Sequence, residues 1–77
     1  MEDHVTVGAW ATVQEDGGEH VYRVMPALEA DPMRSWISEE SPLGRALLGH
    51  AAGDVVSVKT RSSRRTVLVL AVQSGCA

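Results

Sequence analysis

Along the first stretch of the chain, apolar and more polar side chains alternate as a half-buried strand requires, with Val5, Val7, Ala9, Ala11 and Val13 on one set of positions. Asp16-Gly17-Gly18 then marks a turn, and residues 20–25 return as the second arm of a hairpin. Pro26 has no N–H to give to a ladder, so it should end that strand or mark its edge. Residues 27–40 follow no period and read as an irregular loop rich in acidic side chains. The period then changes. Leu43, Ala46 and Leu47 recur at helical spacing, giving one apolar stripe. Ser41 is a good N-cap for that helix, because its hydroxyl accepts from an otherwise unpaired backbone N–H. Pro42 suits the first helical position, and Gly49 stops the helix by taking a left-handed conformation just past its end. Gly53-Asp54 predicts a tight turn into a strand over 55–60, followed by a polar turn over 61–65 and a strand over 66–72. That last run is apolar on both faces apart from Thr66, which predicts a central, well-covered strand. The pattern as a whole predicts an α+β fold: a mostly antiparallel β-sheet with one short α-helix packed on it.

Length and composition narrow this further. A chain of 77 residues is one domain, 1–77, and at that size only about 60% of the unfolded surface can be buried. The hydrophobic fraction of 44% is that of a globular protein. There is no apolar run of about 18 residues and no signal-peptide layout, so no membrane association and a cytoplasmic location are expected. Cys76, the only cysteine, lies beside the terminus and reads as a reduced tail thiol. The net charge of −3 is modest but unevenly placed: Glu29, Asp31, Glu39 and Glu40 crowd the loop before the helix, while Lys59, Arg61, Arg64 and Arg65 crowd the far hairpin. Charge runs are usually solvated turns.

Catalytic patterns are weak. Ser41, His50 and Asp54 are the residue types of a triad, but no serine sits in a nucleophile elbow, and Ser41 already has a capping role. His4, His20 and His50 lack ligand spacing, and no glycine-rich phosphate loop or paired-carboxylate motif is present. No metal, cofactor or enzymatic activity is therefore expected. Direct nucleic-acid binding is not expected either, since the domain is acidic overall and lacks interleaved aromatics.

Several short strings occur in order. They are Gly8-Ala9, Tyr22-Arg23-Val24, Glu29-Ala30-Asp31, Ile37-Ser38, Ser41-Pro42, Arg45-Ala46-Leu47, Gly49 and Gly53-Asp54-Val55-Val56. Together they resemble the C-terminal domain of the Gre-type bacterial transcription elongation factors, over nearly the whole chain. The resemblance implies an FKBP-like fold. It also implies a family architecture with an N-terminal helical hairpin, whose acidic tip helps hold a catalytic metal for transcript cleavage by RNA polymerase. Met1 stands only a few residues before the first strand, so that hairpin has no counterpart expected in these 77 residues. Pro26 stands where the family usually has glycine, and His50 where it usually has lysine.

By the same resemblance, the segment before and at the start of the helix docks on a coiled-coil rim of the polymerase's largest subunit, near the secondary channel. Carried over by position, that segment is Ser38, Glu39, Glu40, Ser41 and Pro42, with Glu29 and Asp31 on the preceding loop. Carboxylates there would pair with basic partner side chains and set orientation more than affinity. In a chain with no Phe, Trp10 and Trp36 are expected in the core; exposed beside the docking loop, Trp36 would instead be a hot-spot anchor. The expected role is binding: modulating transcription, or competing with full-length Gre-type factors. The alternatives are recruitment of the FKBP-like domain to another protein, or a peptidyl-prolyl isomerase. The latter needs an aromatic-lined pocket that two Trp and one Tyr poorly supply.

Overall fold

Gly8 decides where the first strand begins. Its φ of 95° is open to glycine, and the turn it makes closes with the Ala9 N–H donating to the Thr6 carbonyl at 2.9 Å. The alternation over 5–13 is therefore broken in space. Val5 is buried and exchanges backbone hydrogen bonds with the end of the helix, from Val5 N to His50 O and from Gly49 N to Val5 O, both 2.8 Å. Val7 is 45% exposed instead of joining the core. The regular strand β1 runs Trp10–Glu15.

The computed structural model describes residues 4–15 and 17–74; the expectations for Asp16 and Cys76 fall outside them. Beyond β1, the chain forms β2 (Gly18–Met25), β3 (Trp36–Ser38), the helix α1 (Pro42–Leu47), β4 (Val55–Lys59) and β5 (Arg64–Gln73). One five-stranded sheet results, in the order β3-β2-β1-β5-β4. Its β1–β2, β1–β5 and β4–β5 pairings are antiparallel, and β3 joins β2 in parallel. The α+β reading holds, with one parallel pairing that the pattern did not announce.

Residues 27–40 are not irregular throughout. They hold two one-turn 3₁₀ helices, Ala27–Glu29 and Pro32–Arg34, and then β3. The helix ends at Leu47, with Leu48 as its cap and Gly49 following at φ 85°. The strand read as covered on both faces is β5. It does lie between β1 and β4, but only one of its faces is covered: Val67 and Val69 are buried, whereas Leu70 is 37% exposed. Leu70 is the extra residue of a bulge, since Thr12 pairs with Ala71 and Val13 with Val69.

The core lies between α1 and one face of the sheet. Leu47 is its largest fully buried side chain, surrounded by Val5, Val13, Val24, Val58, Val67 and Val69. Stiff β-branched side chains suit this pleated surface and lose little rotamer freedom there. Glu15 closes the same face at the end of β1 and is itself buried. It accepts a hydrogen bond from the Tyr22 hydroxyl at 2.6 Å, and Arg65 Nη1 lies 3.3 Å from its other oxygen. This joins the two hairpins through a charge. Burial, then the hydrogen bond to Glu15 and its negative charge, push the Tyr22 phenol up to about 12.

Candidate docking surface

The five residues Ser38, Glu39, Glu40, Ser41 and Pro42 form a tight corner between β3 and α1. The Ser38 carbonyl accepts from the Ser41 N–H at 3.0 Å and from the Ser41 hydroxyl at 2.7 Å. Ser41 Oγ in turn accepts from the Gly44 N–H at 3.0 Å, which makes Ser41 the N-cap, and Pro42 occupies the first helical position. Ser38 Oγ accepts from the Glu40 N–H at 3.0 Å, and the Glu39 N–H donates to the Met25 carbonyl at 2.8 Å. Gly44 is buried against this corner. A Cβ at that position would collide with the Ser38 carbonyl oxygen and lie 3.1 Å from Ser41 Oγ. The corner is thus fixed by its own bonds, while the Glu39 and Glu40 carboxylates make no side-chain bond or ion pair among the described residues.

The preceding loop lies along the same sheet edge. Asp31 is largely occupied with holding it: Oδ1 accepts from the Met33 N–H at 3.1 Å, and Oδ2 lies 3.4 Å from Arg34 Nε. Its backbone also exchanges two hydrogen bonds with Trp36, of 2.8 and 3.0 Å. Glu29 is exposed. So are two side chains that the sequence pattern did not single out, Leu28 at 101% and Met33 at 95% exposure. Neither 3₁₀ helix buries a residue.

The tryptophans are not in the core. Strand register places Trp10 opposite Arg23, and Arg23 opposite Trp36, on the sheet face away from α1. The Arg23 guanidinium stands 5.2 Å from both ring centroids, Arg34 stands 5.1 Å from Trp36 on its own account, and Arg23 Nε donates to the Gly8 carbonyl at 2.9 Å. Each such cation–π contact is worth about 0.5–1 kcal/mol at a half-exposed site. The ladder ties Trp36, and with it the loop, to the sheet. Arg23 stood in the sequence only as part of the Tyr22-Arg23-Val24 string; its place between the rings was not legible, because Trp10 and Trp36 come from two other strands.

The triad types do not assemble. Ser41 Oγ is committed to Ser38 and Gly44, and His50 Nδ1 lies 3.0 Å from Asp54 Oδ2, which also accepts from the Ala51 N–H at 2.9 Å. The Ala51 N–H and then the His50 hydrogen bond hold the Asp54 carboxyl below its usual range. These bonds close the turn from α1 into β4. Beside α1, a groove of about 330 Å³ is lined by Glu40, Pro42, Arg45, Ala46, Ser57 and Lys59, with no aromatic ring to receive a proline.

Comparison with known proteins gives a consistent result. Residues 1–74 match the family model described as transcription elongation factor, GreA/GreB, C-term. Transcription elongation factor GreA of Thermomicrobium roseum is 42% identical over 69 residues, covering 90% of this chain and 44% of that protein. GreA of Thermotoga maritima is 40% identical over 74 residues, 94% of this chain and 47% of the relative. The chain therefore spans a little under half the length of these curated relatives. Among solved structures, GreA factor homolog 1 (Gfh1) of Thermus thermophilus superposes with a TM-score of 0.80 at 30% identity, over 95% of this chain and 50% of the other. Gfh1 of Thermus aquaticus gives 0.84 at 28% identity, over 96% and 50%.

Proposed function

The chain belongs to the GreA/GreB family of transcription elongation factors through that family's C-terminal domain, and from this premise we propose that it is a non-catalytic docking module for RNA polymerase. The docking segment is Ser38, Glu39, Glu40, Ser41 and Pro42, supported by Glu29, Asp31 and Trp36, and the target is the rim coiled coil of the largest subunit beside the secondary channel. The observation that carries the reading is the corner itself. Its backbone is locked by the Ser38–Ser41–Gly44 bonds, while the Glu39 and Glu40 side chains have no ion-pair or hydrogen-bond partner among the described residues. Preorganised, unpaired carboxylates cost little further ordering when a basic surface arrives, and they steer its approach.

A polypeptide holding this domain alone competes with full-length Gre-type factors for the same site and modulates transcription through occupancy. The test is capture of purified core RNA polymerase by the chain, alongside a Glu39→Lys, Glu40→Lys variant. Binding by the parent, and its loss in the variant at unchanged fold, support the reading. Equal binding by both removes the segment from the interface, and no binding by either overturns the docking reading while leaving the family membership intact.

A further inference from the structure

We infer that Leu28 and Met33 are the apolar anchors of this docking surface, and that the face they meet is a basic helical surface carrying an apolar seam. The inference rests on the docking reading above and deepens it by naming the chemistry of contact. Both side chains stand fully in water, at 101% and 95% exposure, on consecutive one-turn 3₁₀ helices that bury none of their residues. They contribute nothing to the core. The loop presenting them is nevertheless ordered, by the Asp31 cap on Met33 N, the Asp31–Arg34 ion pair, the paired Asp31–Trp36 backbone bonds and the stacking of Arg34 on Trp36. Two large apolar groups held out on a scaffold that does not need them are poised for burial against something else.

The charge around them says what that is. Between residues 27 and 42 stand four carboxylates, Glu29, Asp31, Glu39 and Glu40, against one guanidinium, Arg34, which Asp31 and Trp36 already engage. A partner must therefore offer cations at the rim and an apolar strip at the centre. A pair of packed helices flanked by Lys and Arg presents both at the spacing of a loop. Division of labour follows: the carboxylates set the association rate and its salt dependence, and the two anchors set the dissociation rate.

The experiment measures binding kinetics of the full chain on immobilised core RNA polymerase at two salt concentrations. The variants are Leu28→Ser with Met33→Ser, Glu39→Lys with Glu40→Lys, and a control, Val55→Ser, which removes a 65%-exposed apolar side chain at the opposite edge of the sheet. Circular dichroism checks each fold. The double serine variant is expected to dissociate at least about tenfold faster, with the parent's salt dependence retained, while the control is unchanged. If the parent binds and the serine variant binds equally well, the anchor assignment falls and the docking reading survives. If the parent does not bind at all, both fall together. If sedimentation shows self-association of the parent that the serine variant abolishes, while polymerase binding is unaffected, the patch belongs to a second copy and the inference is overturned.

Discussion

Replacing Gly44 with alanine sets helix propensity directly against packing. In an exposed helix, Gly→Ala gains up to about 1 kcal/mol, because glycine surrenders more backbone freedom on folding. Gly44 is buried, however, and its missing side chain is filled by the Ser38 carbonyl. A Cβ there meets backbone, not the movable end of a side chain, so either α1 lifts from the sheet or the corner opens. Overpacking of this kind costs about 1–3 kcal/mol. Opening the corner also breaks the Ser41 cap on Gly44 N and the Ser41 hydroxyl bond to Ser38 O, each worth about 1 kcal/mol. The propensity gain offsets only part of this, leaving a net loss of about 2–4 kcal/mol and a fall in Tm of roughly 10–25 °C for a domain this small. Urea and thermal unfolding of Gly44→Ala measure it. A variant as stable as the parent, or more so, would refute the argument that the corner is rigid and that Gly44 exists to let it close. On the proposed docking reading, Gly44→Ala should also weaken capture of RNA polymerase, since it displaces the segment that carries Glu39 and Glu40.

Three further outcomes are expected. Tyr22 is the only tyrosine, so its ionisation can be followed by absorbance: the midpoint should lie near 12, and Glu15→Gln, which removes the negative charge beneath the phenol, should lower it. Because the folded-state value lies above the ordinary 10, the Tyr22 contribution to stability is complete below about pH 10 and disappears as pH rises through about 12. Asp54 has the opposite sign: its depressed carboxyl stabilises the fold above the ordinary carboxylate range and loses that contribution as pH falls through its folded value, so Asp54→Asn should flatten the acid limb of Tm against pH. Removing the guanidinium in Arg23→Ala should expose Trp10 and Trp36 together and shift tryptophan emission to the red, at a stability cost of about 1–2 kcal/mol; unchanged emission would mean the ladder does not form in solution.

What the sequence disclosed was what its neighbours along the chain determine. Ser41, Pro42 and the spacing of Leu43, Ala46 and Leu47 located the helix, because caps and periodicity act within one turn. Family resemblance singled out the corner over 38–42 as the proposed docking segment, but not the reason for its rigidity: Gly44 closes on Ser38 six positions away across a turn, and no local pattern encodes that approach. β3 was missed because three residues are too few to show alternation, and its pairing is with β2 on the far side of a loop. The tryptophans were expected inside because the chain has no Phe, with an exposed Trp36 as the alternative. They lie outside because cross-strand register sets Arg23 between them, a fact distributed over three strands. Leu28 and Met33 interrupt an acidic stretch without any period, so exposure alone distinguishes them.

The bonds between Asp31 and Trp36 have a meaning beyond holding the loop. β3 is a border strand, and in its parallel pairing with β2 the Trp36 N–H and carbonyl point outward, where another chain could add itself to the sheet. Asp31 takes both of those groups, and Ser41 takes the Ser38 carbonyl. Three groups of the template for strand addition are thereby taken from within, by residues of the proposed contact face. A truncation that trims this loop would do more than remove proposed docking residues: it would uncover a sticky border, and the shortened protein should polymerise.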